Sequence, residues 1–238
     1  MKLALIGYGK MGKAIEEIAL QRGHSVVLKI DIDNPFEFTK ENLAKADVAI
    51  EFTGPHSAYE NVKKLMQFGM AAVCGSTGWL EKLDEINQLC KKNNTAFIYA
   101  SNYSVGVNIF FEVNKRLAAL MAAHHDYDIQ LTEIHHTTKK DAPSGTAITL
   151  AEQVLENVHR KKHWVNHISD NPEDLEILSE RTDPAPGTHK VKYSSAIDDI
   201  EIIHTAHTRK GFALGAVLAA EFIVGKKGIF SMKDVLGL

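Results

Sequence analysis

The residues best suited to chemistry are concentrated between Glu133 and Thr146, in the run Glu-Ile-His-His-Thr-Thr-Lys-Lys-Asp-Ala-Pro-Ser-Gly-Thr. His135 and His136 can exchange protons near neutral pH. Lys139 and Lys140 place ammonium charge close by on the chain. Ser144, after Pro143, reads as a helix N-cap. The backbone N–H groups of Gly145 and Thr146 would then open an anion site reinforced by the helix dipole. Cations beside such a site point to a carboxylate or phosphate ligand. A solvated basic loop capping an ordinary helix explains any one of these residues, but it explains the whole cluster poorly.

A second feature lies at the amino end. Gly7-Tyr8-Gly9-Lys10-Met11-Gly12 is G-x-G-x-x-G between an apolar strand and a helical pattern. In that context Gly7 permits the tight turn, Gly9 the approach of a pyrophosphate, and Gly12 close helix packing, with Lys10 as a nearby cation. Asp31 closes the next strand, where an acid hydrogen-bonds a ribose hydroxyl. Asp31 and Asp33 disfavour a 2′-phosphate, no arginine follows Asp31, and Lys29 attracts one only if it faces the ribose. The expected cofactor is therefore NADH, with NADPH left open. Gly75, Ser76 and Thr77 follow a fourth strand, and Ser101, Asn102, Tyr103 and Ser104 follow a fifth. Loops at the carboxyl ends of strands are where open α/β sheets bind ligands, so both sets are candidate cofactor contacts.

The elements that must position these groups follow from the apolar pattern. Strands are expected at 3–6, 26–30, 48–52, 71–73 and 95–99, with helices at 11–22, 58–68 and 80–91 between them. This alternation, with apolar strands lacking period-two patterning, predicts a Rossmann-like, doubly wound parallel sheet. After about residue 106 the pattern changes to a helix (107–123), a strand (129–134), the polar loop and a helix (146–158). A Pro-punctuated polar stretch (159–187) comes next, then alternating strands at 190–195 and 200–206. An apolar helix (211–225) closes the chain. The expected division is a dinucleotide-binding domain of 1–106 and 209–238, with an inserted α+β domain of 107–208 carrying a mixed sheet.

Bulk properties are those of an ordinary soluble globular protein. The 238 residues are 45% hydrophobic and 24% charged, with a net charge of −3. That charge gives no reason to expect nucleic acid or a membrane as partner. Cys74 and Cys90 lack metal-ligand spacing and read as reduced thiols of a cytoplasmic protein. No metal site is expected from the scattered histidines.

The run from Glu133 to Ala147 resembles the substrate motif of the dihydrodipicolinate reductase family, E-x-H-H-x-x-K-x-D-A-P-S-G-T-A. The 75–79 and 101–108 loops and the segment from His204 to Ala216 are also similar to that family. The chain departs from the family in a glycine turn one residue shorter and a shorter segment between the second and third strands. The resemblance implies reduction of a cyclic imine dicarboxylate with NADH or NADPH, in diaminopimelate and lysine biosynthesis. It implies His135 as the proton donor and Lys139 as its cationic partner. His136, Ser144, Gly145 and Thr146 would bind the substrate, and Arg209 the cofactor. A homotetramer built through the second sheet is implied as well. Another two-domain dehydrogenase, or a non-catalytic dinucleotide sensor, is the competing reading. The former lacks the His-His-x-x-Lys loop joined to Ser-Gly-Thr, and the latter has no need of His135 and Lys139.

Overall fold

The computed structural model describes residues 1–208 and 210–238, which separate into two compact units. The first unit is Met1–Val105 with Lys210–Leu238, and the second is Gly106–Arg209. In chain order the first unit opens with β1 (Lys2–Ile6), α1 (Lys10–Gln21), β2 (Ser25–Ile30), α2 (Lys40–Leu43) and β3 (Val48–Glu51). It continues with α3 (Ala58–Gln67), β4 (Ala72–Cys74), α4 (Leu83–Lys92) and β5 (Ala96–Tyr99). The second unit holds α5 (Val105–Met121), β6 (Asp128–His135), α6 (Gly145–Asn157), β7 (His163–Val165), β8 (Asp174–Arg181), β9 (Gly187–Ser194) and β10 (Asp199–Ala206). The chain then returns to the first unit as α7 (Lys210–Ile223), β11 (Gly228–Phe230) and α8 (Met232–Leu236).

The first sheet is entirely parallel, in the order β11-β5-β4-β3-β1-β2. Its inner strands β1, β3, β4 and β5 are buried on both faces, which is why they lack alternation in the sequence. One face packs Ala49, Leu65, Met66 and Phe97 with α3 and α4. The other packs Leu5, Ile50, Val73 and Ile98 against α1 and α7. The strand order reverses direction between β1 and β3, so the loops leaving these two strands diverge and leave a crevice.

The second sheet is mixed, in the order β10-β9-β6-β8-β7. β6 pairs antiparallel with β9 and parallel with β8. Ile129, Leu131, Ile177, Val191 and Tyr193 point to the face covered by α5 and α6, where they meet Phe110, Leu150 and Val154.

Two segments hold elements that the sequence pattern does not assign. The polar, Pro-punctuated stretch 159–187 contains β7 and the eight-residue β8, which pairs directly with β6. After the apolar helix, β11 adds an edge strand beside β5, and α8 follows.

Candidate active site

Side chains alternate across a strand, so one face of β6 carries Ile129, Leu131, Glu133 and His135. The first two are core residues, and at the carboxyl end the same face turns polar. Register makes this change coherent across three strands. Glu133 stands opposite Ser179 on β8 and His189 on β9, and His135 stands opposite Arg181. A polar layer is therefore set on the end of an apolar core.

Glu133 is wholly buried and organises that layer. Its Oε1 accepts from Ser179 Oγ at 2.7 Å and from Arg181 Nη2 at 3.1 Å, and its Oε2 accepts from the Ser144 backbone N–H at 3.0 Å. Burial alone would raise the carboxyl pKa. The hydrogen bonds from Ser144, Ser179 and Arg181 outweigh it and hold the group below the ordinary range. His135 Nδ1 lies 3.4 Å from Oε2, outside hydrogen-bond geometry, and has no other partner among the described residues. His189 Nε2 lies 3.9 Å from the same oxygen and 3.1 Å from Ser144 Oγ. The two imidazoles meet edge to face, with centroids 5.1 Å apart.

Both imidazoles are held neutral. Burial pushes the His135 pKa down; Lys139 and Arg181 push it the same way, against the pull of Glu133 and Asp141. Burial and then His135 take His189 down to about 4. Glu133, His135 and His189 bring metal-ligand atom types within 4.8 Å of one another. The Arg181 guanidinium already on that carboxylate opposes a second cation, so the trio reads as a polar cluster organised around the Glu133–Arg181 pair.

The loop after β6 brings in the other expected residues. Lys139 Nζ makes two 2.8 Å contacts to the Asp141 carboxylate, so its direct partner is Asp141 and its charge acts on His135 only through space. His136 leaves the strand and pairs its Nδ1 with Thr138 Oγ1 at 2.7 Å. Ser144 is the N-cap of α6 and accepts from the Ala147 backbone N–H at 3.2 Å. No acid occupies the first turn of α6, and a Cβ at Gly145 would meet nothing within 4 Å. Glu133 and Ser144 thus tie the imidazole layer to the helix start.

In the first unit a cavity of about 500 Å³ lies at the β1/β3 switch point. Gly7 and Gly9 after β1, Asp31 after β2 and Phe52 to Ser57 after β3 line it. The glycines divide the work. Gly7 sits at φ +93° with Phe52 O 2.2 Å from where a Cβ would be, and a Cβ at Gly12 would lie 2.3 Å from Gly7 O. At Gly9 nothing lies within 4 Å, so this position is open to a ligand. No side chain caps α1 and no acid sits in its first turn, which leaves the helix start suited to an anion beside Lys10. Met11 packs against the core below. These features fit a dinucleotide pyrophosphate.

The loops after β4 and β5 are placed differently. Gly75, Ser76, Thr77 and the 101–104 segment lie outside the lining of this cavity. Gly75 allows the Phe52 ring to pass, since a Cβ there would fall 2.1 Å from it. Ser76 is buried and accepts from the Thr53 backbone N–H at 2.9 Å. Tyr103 corrects an expectation. Its side chain is core, and its hydroxyl donates to the carbonyls of Cys74 and Ile98, so no cofactor contact can come from the ring. Ser101 is exposed, while the Asn102 side chain accepts from the Ser104 backbone N–H. Arg209 lies outside the described residues.

Sequence reasoning passed over Glu133, Ser179 and His189 as site residues and left Arg181 undecided. The available signal was the parity of the alternation: 129-131-133-135, 175-177-179-181 and 193-191-189 each run from apolar to polar at one end.

Comparison with known proteins decides the family. The amino-terminal model of dihydrodipicolinate reductase matches residues 1–103, and the carboxy-terminal model matches 106–236. The chain belongs to the dihydrodipicolinate reductase family. Family membership makes it a dinucleotide-dependent oxidoreductase. A 4-hydroxy-tetrahydrodipicolinate reductase of Christiangramia forsetii is 49% identical over 99% of this chain and 98% of its own length. One from Methanosarcina mazei is 36% identical, over 99% and 89%. A dipicolinate-bound dihydrodipicolinate reductase from Paenisporosarcina sp. TG-14 superposes with a TM-score of 0.77 at 22% identity, covering 98% of each chain, a likeness of fold. Among the described residues no helix is long and apolar enough to cross a membrane.

Proposed function

We infer that the chain reduces 4-hydroxy-tetrahydrodipicolinate to tetrahydrodipicolinate in diaminopimelate and lysine biosynthesis. The nucleotide sits at the glycine turn of the first unit, and the substrate at the β6–α6 junction of the second. The observation that carries this reading is the layer of buried Glu133, His135 and His189 with half-buried Arg181, joined through Ser144 to the start of α6. NAD(P)H supplies the hydride. The finer reading is NADH: Asp31 lines the cavity, and none of the lining residues is a lysine or arginine.

A dicarboxylate leaving water needs cationic and amide partners, because an unpaired buried charge is prohibitively costly. Lys139, His136 and the Gly145–Thr146 start of α6 supply them. His135 Nδ1 faces Glu133, which leaves Nε2 as the nitrogen that delivers the proton. The imidazole is neutral in the free chain, and a dianion beside it raises its pKa. Substrate therefore charges its own proton donor on arrival. Another two-domain dehydrogenase would not require this coupling.

Loss of reduced-nicotinamide absorbance with the imine substrate tests the activity. His135→Gln lowers turnover by ~10²–10⁴ if the proton donor is assigned correctly. Wild-type turnover in folded His135→Gln would remove His135 from the chemistry.

A further inference from the structure

The NADH reading leaves one cation to be explained. Lys29 is the penultimate residue of β2, two before Asp31, so it stands at the adenosine side of the crevice. Its ammonium does not lie free there. It pairs with Glu16 Oε1 at 2.7 Å and donates to Tyr8 Oη at 3.2 Å, lying 4.6 Å from the Tyr8 ring centroid. The Tyr8 hydroxyl in turn donates to Glu16 Oε2. Tyr8 is the residue between Gly7 and Gly9, both of which line the cavity. Three side chains from the glycine turn, α1 and β2 therefore close a ring around one charge at the edge of the dinucleotide site. The Glu16 side chain is only 18% exposed and that of Lys29 41%, so the pair is partly shielded from solvent.

We propose that Glu16, with Tyr8, is a specificity determinant that withholds Lys29 from the 2′ position of the adenosine ribose and so discriminates against NADPH. The proposal rests on the NADH reading above and supplies its mechanism. A 2′-phosphate meets Asp31 as a like charge and finds no lysine or arginine among the cavity-lining residues. The backbone at the end of β2 is fixed independently, because Asn34 accepts from the Asp31 N–H at 2.7 Å and donates to Lys29 O at 2.8 Å. Releasing Lys29 thus needs only side-chain rotation. The flexible ammonium can then act as a point-charge phosphate partner.

The test is equilibrium binding of NADH and NADPH to the full chain without substrate, by titration calorimetry. Wild type binds NADH more tightly. In Glu16→Gln, NADPH affinity rises by about three- to tenfold, as expected for one recovered exposed charge contact, while NADH stays within about twofold. Lys29→Met changes NADPH affinity by less than about twofold in wild type but erases the gain in the Glu16→Gln background, a coupling that simple loss of repulsion does not produce. Tyr8→Phe, which removes one hold on the ammonium without altering charge, shifts NADPH in the same direction by a smaller factor. If wild type prefers NADPH, the cofactor reading fails and the withholding role goes with it. If wild type prefers NADH and Glu16→Gln leaves NADPH unmoved, or Lys29→Met does not reverse the gain, only the withholding role is overturned.

Discussion

At the scale of single residues, Glu133 is the group on which the others depend. Its two oxygens face a guanidinium, a hydroxyl, a backbone amide and two imidazoles. Glu133→Gln keeps the shape, but it removes the charge opposite Arg181 and turns one acceptor into a donor. Turnover should fall at least tenfold, since the imidazole loses the carboxylate that favours its protonated form. Retention of wild-type kcat in that variant would limit Glu133 to folding. The pH profile follows from the same charges. As the proposed proton donor His135 would have to be protonated to act, and its pKa in the free chain is held below the usual imidazole value of 6.5. kcat/KM should therefore decline with rising pH from a point below 6.5, and the limb in kcat should lie higher because bound dianion stabilises the imidazolium. Coincident limbs would show that substrate does not charge the donor. Stability reads a different imidazole. With a folded pKa of about 4, His189 refuses a proton that the unfolded chain accepts below about 6.5. Stability is full above that value and falls by ~3 kcal/mol as pH drops toward 4. Urea melts at several pH values should show a shallower acid decline in His189→Gln.

At the scale of elements, the second sheet works because three strands share one parity. Gly187, at the start of β9, keeps that arrangement open: a Cβ there would fall 3.1 Å from His135 Nε2. Gly187→Ala should push the imidazole off its position, lowering kcat more than it lowers the melting temperature. A loss confined to stability would argue that His135 tolerates the shift. The strands β1 to β5 were legible because a parallel strand needs little besides Val, Ile, Leu and Ala, and β6 because Ile129 and Leu131 mark one face of an alternating run. β8 was not legible. Pro172, Pro184 and Pro186 flank it, and only Leu175 and Ile177 mark its core face before Ser179 and Arg181 take over the same parity. Those two polar residues donate to the buried Glu133, so the polar layer blurs the pattern that would reveal the strand. Tyr103 shows the converse. Its loop carries the family motif, yet the ring is a core side chain because Gly215 on α7 packs against its backbone, where a Cβ would lie 1.6 Å from Tyr103 O. Sequence spacing identifies a loop but not which of its side chains faces inward.

At the scale of the whole molecule, the second sheet has one face covered by α5 and α6 and one that no helix among the described residues of that unit covers. The uncovered parity carries Gln130, Thr132 and Ile134 on β6, Leu178 on β8, Lys190 and Lys192 on β9, and Glu201 and Ile203 on β10. Ile203 is 56% exposed, on an edge strand whose outer hydrogen-bonding groups have no strand partner among the described residues. Edge strands of this kind are normally blunted or covered. Here the charges are matched within the face, Lys190 and Lys192 reaching Glu201 and Asp199, which leaves the apolar side chains available for contact. A homotetramer assembled through this face would cover both the edge and Ile203. Light scattering should then give a mass near four times 26.3 kDa at micromolar concentration. Ile203→Lys places a charge where that contact forms and should dissociate the assembly. The control Leu20→Lys, at a 56% exposed position on α1 of the first unit, should leave the mass unchanged. A monomeric wild type, or an Ile203→Lys protein of undiminished mass, would mean that the open face is not where the copies meet.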